Sequence, residues 1–251
     1  MKNKENLVGK CFCLTDTGKL RHKNEDAALA LQNKDGVSFL VVCDGMGGHD
    51  NGDIASGLAV SSLQASFEKK KSFGSVLLAK NWLLRAIKKA NKAIYSHVAD
   101  NSSPTRMGTT LVVALIYRGH LLYANMGDSR AYVIAHDTLT QISEDETYAD
   151  YLYRTGKIKK EERDQRVDRH VLTNALGIYP VVNVEVKAMK LEAHQVILCS
   201  DGLYNHLSKE ELMAVMKRKI SLKEKCIRLI QKCNINGGSD NISVSIWEED
   251  V

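Results

Sequence analysis

Apolar residues recur along this chain in two rhythms: short continuous or alternating runs that read as strands, and longer stretches spaced three and four apart that read as helices. The clearest run, Phe39 to Cys43, is rich in β-branched residues and has no helical spacing, which predicts a sheltered strand stopping at Asp44-Gly45. Upstream, Cys11 to Thr15 alternates weakly as a first strand and Ala27 to Leu31 is a short apolar segment. Asn33-Lys34-Asp35-Gly36 is then a hairpin turn into the Phe39 strand. Downstream, Ile54, Leu58 and Phe67 predict an amphipathic helix starting near Asp50 or Asn51. A second helix is predicted from Ser75 to Val98, with Leu83, Leu84, Ile87, Ile94, Tyr95 and Val98 on its apolar face. Asn101 to Thr105, with Pro104, ends it.

Gly108 to Tyr117 and His120 to Asn125 flank an Arg118-Gly119 turn and predict a hairpin, followed by a strand from Ala131 to Ala135. The connections are too short for a parallel crossover, so this succession predicts an antiparallel meander. Residues 141–170 are polar and charge-rich, and read as a mobile, flap-like insertion with one or two short helices. Val181 to Met189, Gln195 to Cys199 and Ile242 to Trp247 predict further strands. Ser208 with Glu211 and Ser221 with Glu224 have capping-box spacing, each opening a helix: Leu212, Val215 and Met216 face inward in the first, Cys226, Ile227 and Ile230 in the second. Helix pairs thus separate groups of short-linked strands, an α+β arrangement with antiparallel sheets in the centre and helix pairs outside. No linker divides the chain, so residues 1–251 are expected to form one domain behind a polar leader at 1–10.

Composition narrows the class. With 44% hydrophobic and 26% charged residues over 251 positions, disorder is not the default. No apolar run approaches the roughly 20 residues of a membrane-spanning helix. The charged start lacks a signal-peptide apolar region, so no membrane association and a cytoplasmic location are expected. Six cysteines without a C-x-x-C pair read as buried thiols, neither disulfide-bonded nor zinc-binding. The net charge of +5 is mild, and the basic runs Lys69-Lys70-Lys71 and Lys217-Arg218-Lys219 close helices without interleaved aromatics, so nucleic acid is not an expected partner. The chain is expected to be a monomer.

Chemistry enters with a repeated pattern. An apolar run closed by Asp-Gly occurs at Asp44-Gly45 and again at Asp201-Gly202, and Gly237-Gly238-Ser239-Asp240 opens a third strand. One such dipeptide is also an ordinary turn. Three strand-end carboxylates, however, could converge as hard-oxygen ligands for Mg²⁺ or Mn²⁺.

Together these stretches resemble the PPM family, the metal-dependent type 2C serine/threonine protein phosphatases. The resemblance is carried by R-x-x-N-E-D at Arg21 to Asp26, D-G-M-G-G-H at Asp44 to His49, G-T-T at Gly108 to Thr110, and G-D-S-R at Gly127 to Arg130. It continues with L-T-N-A-L-G at Leu172 to Gly177, S-D-G at Ser200 to Gly202, and G-G-S-D-N-I-S at Gly237 to Ser243. The motifs stand in the family's order, span residues 11 to 247, and look like the bacterial branch.

The resemblance implies an antiparallel β-sandwich flanked on both sides by paired helices. It implies that Asp44 bridges two Mn²⁺ or Mg²⁺ ions, that Gly45 lends a backbone carbonyl, and that Asp201 and Asp240 complete the ligands. Asp128 with Asp201 would hold a third ion, Asp26 would bind metal-bound water, Glu25 is a further candidate ligand, and Arg21 would grip the substrate phosphate. The implied reaction is hydrolysis of phosphoserine and phosphothreonine in phosphorylated proteins, by direct attack of a water bridging the two ions, in opposition to a cognate Ser/Thr kinase. Arginine suits the phosphate role because its planar fork donates twice. No C-x5-R loop is present, so no phosphocysteine is expected. Three departures stand out: Met46 replaces the general-acid histidine of animal members, leaving His49 with either a catalytic or a loop-packing role, while Asp145-Glu146-Thr147 in place of Asp-His-Ser and Asn174 in place of an arginine bear on substrate preference. The alternatives are a catalytically weak phosphatase-fold regulatory or binding protein, and a Mg²⁺-dependent nuclease or nucleotide phosphohydrolase, the latter disfavoured by the absence of a P-loop.

Overall fold

The computed structural model describes residues 8–47, 51–70, 72–100 and 106–250. Two antiparallel sheets face each other. The first joins β1 (Gly9–Asp16), β11 (Ile242–Glu249), β10 (Gln195–Cys199), β7 (Arg130–Ala135) and β8 (Thr138–Gln141) in that order. The second joins β2 (Asp26–Gln32), β3 (Ser38–Gly47), β5 (Leu111–Tyr117), β6 (His120–Met126) and β9 (Lys187–Lys190), with β4 (Met107–Thr109) paired to the far end of β3. Helices α1 (Gly52–Glu68) and α2 (Val76–Asp100) cover the second sheet. Helices α6 (Lys209–Met216) and α7 (Leu222–Ile235) cover the first. Three short helices complete the described chain: α3 (Tyr148–Arg154), α4 (Lys160–Gln165) and α5 (Asp201–Tyr204).

The layers explain why the strands read as continuous apolar runs. Successive strand side chains point to opposite faces. In β3, Leu40 and Val42 enter the core between the sheets, while Phe39, Val41 and Cys43 pack under the helices. In β5, Val112, Ala114 and Ile116 face the opposite sheet and Leu111, Val113 and Leu115 face α1 and α2. A sheet covered on both faces needs apolar residues at every position, not at alternate ones. Trp247 of β11, fully buried, fills the inter-sheet layer with Val133, Val196 and Leu198.

Several expectations are corrected. The meander stops at β6: β7 lies in the other sheet, beside β10, so the chain crosses the sandwich at Gly127-Asp128-Ser129. The short link fits either path, and the inter-sheet core decides between them. Strand β3 does not stop at Asp44 but continues to Gly47, because β4 supplies a ladder (Gly45↔Thr109, Gly47↔Met107). The predicted strand from Val181 to Met189 shrinks to β9: Val182 and Val186 are buried under the helix layer, while Val181 is exposed and the segment has no strand partner before Lys187. Ile54 and Tyr95 face outward; the buried face of α1 is Ala55, Ala59, Leu63 and Phe67. Ile227 is only partly buried, and Leu229 takes its place in the core. The Ser208–Glu211 capping box is complete, whereas Ser221 accepts from the Glu224 amide without the return bond. Strand β8, unforeseen, forms a hairpin with β7 through His136 and Asp137, both at positive φ. His49, Asp50, Lys71 and Pro104 lie outside the described residues.

Candidate active site and metal centre

Antiparallel register brings the acidic residues to one end of the sandwich. Asp26, opening β2, is the Cα partner of Asp44 in β3. Cys199, closing β10, pairs with Arg130 at the start of β7 and with Val244 near the start of β11. Asp128, Asp201 and Asp240 therefore emerge from adjacent strand ends. They line a cleft of about 320 Å³ with Arg21, Glu25, Asp44, Gly45 and His170. Seven of the eight residues singled out in the sequence thus share one cavity. Asp26, the eighth, sits beneath its floor, where Ser200 Oγ donates to Asp26 Oδ2 at 2.7 Å.

Several side chains assigned no role in the sequence hold this arrangement. Asp44 is clamped through its backbone: its N–H donates to Thr110 Oγ1 (2.9 Å), and its carbonyl accepts from Thr110 N (2.8 Å) and Thr109 Oγ1 (2.9 Å). Thr110 Oγ1 also contacts Ser129 Oγ at 2.7 Å, which ties the Asp44 strand to the crossing that carries Asp128. Asn241 secures the Arg21 loop. Its amide donates to the carbonyls of Thr17 and Lys23, both at 2.9 Å, and its Oδ1 accepts from Glu25 N at 2.8 Å. His206 links the Asp201 and Asp240 segments, with Nδ1 against the Gly202 carbonyl (2.8 Å) and Nε2 accepting from Ser239 N (3.1 Å). Gly45 can carry no side chain, since a Cβ there would stand 2.1 Å from the Gly52 carbonyl. Glu25 Oε1 accepts from Gly52 N at 3.1 Å, so this candidate ligand also caps the start of α1.

The electrostatics are those of an acid cluster in need of cations. Burial first, then repulsion from Asp26, Asp201, Asp128 and Asp240, pushes the Asp44 carboxyl well above the ordinary carboxylate range. Burial lifts Asp26 to about 7, against hydrogen bonds from Ser200 and Ser243 that lower it. Asp128 also rises to about 7, through burial and repulsion from Asp201 and Asp145, and Asp201 is raised through burial and Asp240. The buried oxygens Asp26 Oδ1 and Asp201 Oδ1 have no hydrogen-bond partner. Unpaired buried carboxylates are expensive unless paired or coordinated to a metal. The Arg21 guanidinium stands against Asp240 Oδ2 at 2.9 Å, a positive group already drawn to the cluster. An all-oxygen set of this kind fits hard divalent cations. The cysteines behave otherwise: all six are free, and burial raises Cys43 and Cys199, beside the acids, far above the thiol range, which makes them poor nucleophiles.

Residues of the 141–170 segment line an adjoining cavity together with Asp128 and Arg130. Arg130 is bidentate to Asp145, stacks 3.5 Å from the Tyr204 ring centroid, and so braces the Asp128 crossing; Tyr204 Oη donates to the Asp128 carbonyl at 3.1 Å. Two departures from the family pattern meet here: burial raises the Glu146 carboxyl above its ordinary range, and Asn174 beside it acts against that rise. His170, not foreseen as a site residue, ends the segment inside the cleft. A single histidine in a charged, aperiodic stretch has no local signature that would single it out.

Comparison with known proteins agrees with this geometry. Residues 21–232 match the family described as Protein phosphatase 2C. The chain is 37% identical over 238 residues to a serine/threonine phosphatase, stp, of Listeria welshimeri, covering 94% of each chain. Its fold superposes on the serine/threonine phosphatase Stp1 of Staphylococcus aureus with a TM-score of 0.89 at 31% identity, covering 98% of this chain and 97% of that one. It also superposes on the catalytic domain of the serine threonine protein phosphatase PstP in complex with two manganese ions, with a TM-score of 0.81 at 30% identity, covering 96% and 98%.

Proposed function

Given that the chain belongs to the protein phosphatase 2C family and is a metal-dependent serine/threonine protein phosphatase, we propose that Asp44, Gly45, Asp201 and Asp240 hold its two core Mn²⁺ or Mg²⁺ ions. Asp128 joins Asp201 at a third position, and Glu25, lining the same cleft, is a further ligand. The observation that carries this assignment is the convergence of these residues on one cleft, with the buried Asp201 Oδ1 lacking any partner. When bound, the ions act as Lewis acids that lower the pKa of water and offset phosphate charge.

The chain's own residues supply orientation. Arg21 spends one donor on Asp240, and its remaining N–H groups grip the phosphate oxygens of the substrate. Ser200 fixes Asp26 through Oδ2, which leaves Oδ1 to accept a hydrogen bond from the attacking water. That water's oxygen bonds to phosphorus as the bond from phosphorus to the serine or threonine oxygen breaks, and one proton passes, net, from the water to the leaving alcohol oxygen. No phosphoenzyme forms, in keeping with thiols held protonated by burial.

Phosphorylated proteins are the substrates. A cognate Ser/Thr kinase, a monomeric state, a cytoplasmic location and a single catalytic domain with 141–170 as its flap belong to the same proposal. A weak, purely regulatory role has no missing ligand to support it. The test is hydrolysis of p-nitrophenyl phosphate and a phosphothreonine peptide with Mn²⁺, which Asp44→Ala or Asp240→Asn abolishes. Robust turnover in excess EDTA would refute the assignment.

A further inference from the structure

Among the described residues, one set of three metal-ligating side chains offers atoms all within 4.8 Å of one another: Asp128, His170 and Asp201. They come from three separate places, the crossing between β6 and β7, the start of α5, and the end of the 141–170 segment. Asp128 is 8% exposed and Asp201 Oδ1 is buried without a partner. His170 lines both the metal cleft and the adjoining cavity of about 150 Å³ beneath the flap. Each carboxylate is near enough to share a cation with it.

One imidazole nitrogen is an acceptor held by a positive group: Arg169 Nε donates to the lone pair of His170 Nε2 at 2.9 Å, so a cation bound through that nitrogen takes the place of the guanidinium. Arg169 is itself tethered through NH1 to the Asp164 carbonyl at 3.0 Å, within the same flap. A divalent cation makes the same demand on that lone pair as the guanidinium does, with a higher charge.

We propose that His170 is a protein ligand of the third cation site, adding an imidazole nitrogen to the Asp128 and Asp201 carboxylates, and that this nitrogen makes the site prefer Mn²⁺ over Mg²⁺. The inference rests on the metal reading above. Its chemical basis is donor type. Mg²⁺ is hard, holds its waters and favours oxygen, whereas Mn²⁺ stands nearer the metals that accept imidazole. A carboxylate pair alone would hold the two ions with less distinction.

The test uses the full chain stripped with EDTA and dialysed, then titrated with Mn²⁺ or Mg²⁺ alone. Free Mn²⁺ is read by electron paramagnetic resonance, Mg²⁺ by calorimetry, and nitrogen coordination by pulsed resonance. Wild type is expected to show two tight Mn²⁺ sites, a weaker third, and ¹⁴N coupling from that third ion. His170→Ala should leave the first two sites unchanged, lose the ¹⁴N coupling, and weaken the third Mn²⁺ on the order of tenfold. Mg²⁺ at that site should change less than about twofold. His170→Gln, which restores bulk and an oxygen, should keep a third Mn²⁺ without the coupling. Coupling that persists in His170→Ala, or a third-site Mn²⁺ affinity that the substitution leaves unchanged, would overturn the proposal. Absence of any tight Mn²⁺ site in wild type would instead overturn the metal reading on which it rests.

Discussion

Replacing Asp128 by asparagine should stabilise the cation-free protein at neutral and alkaline pH, the reverse of the usual cost of altering a buried polar residue. Asp128 is buried beside Asp201, and burial with that repulsion lifts its pKa from 3.8 to about 7. A carboxyl raised in this way binds its proton more tightly in the folded chain than in the unfolded one. Below about pH 4 it is protonated in both states and contributes no pH dependence. As pH rises, the unfolded chain gives up the proton first. Stability then falls until the folded group also ionises near pH 7, and is level above that. A shift of about three units corresponds to about 4 kcal/mol.

Asparagine keeps the shape and removes the charge, so Asp128→Asn escapes that loss. In urea melts with EDTA its advantage over wild type should be about 1–2 kcal/mol at pH 5 and grow to about 4 kcal/mol at pH 8. Saturating Mn²⁺ should shrink or reverse the difference, because binding to the folded state alone stabilises it and the variant lacks a proposed ligand. An Asp128→Asn protein less stable than wild type at pH 8 in EDTA, or an advantage that does not grow between pH 5 and 8, would refute the reasoning.

Other substitutions test the parts that hold the site. Thr110→Val deletes the hydroxyl that accepts from the Asp44 amide and contacts Ser129, and should cost about 1–3 kcal/mol in urea melts and lower kcat on p-nitrophenyl phosphate. Unchanged kinetics would remove Thr110 from the clamp. Arg21→Lys keeps the charge but not the two-pronged donor, and should lower kcat/KM on a phosphopeptide about 10- to 100-fold while leaving the melting temperature near wild type. Gly45→Ala places a Cβ 2.1 Å from the Gly52 carbonyl and should give a protein that expresses poorly or melts far below wild type, as circular dichroism would report. Iodoacetamide should leave Mn²⁺-dependent turnover intact, since the thiols beside the acids, Cys43 and Cys199, are buried and pushed up by that burial.

Much of the architecture is legible in residue order. The unbroken apolar runs at Phe39 to Cys43 and Gln195 to Cys199 announce strands covered on both faces, and the Ser208 capping box marks where α6 begins. The ordered aspartate motifs point to the ligands proposed above, because hard-cation chemistry admits few other residue types. All of these signals are local: a side-chain period or a cap needs only neighbours within a turn. What they cannot encode is which sheet a strand joins. The link after Met126 has one length whether β7 pairs with β6 or crosses to β10, and only the packing of Val133, Val196 and Trp247 between the sheets selects the crossing that aims Asp128 at Asp201. His170 is the extreme case, a residue without periodic context that the path of the 141–170 segment carries to two carboxylates distant in sequence. Its place was decided by tertiary structure alone, since distances between remote segments are set by packing and register, neither of which has a period along the chain.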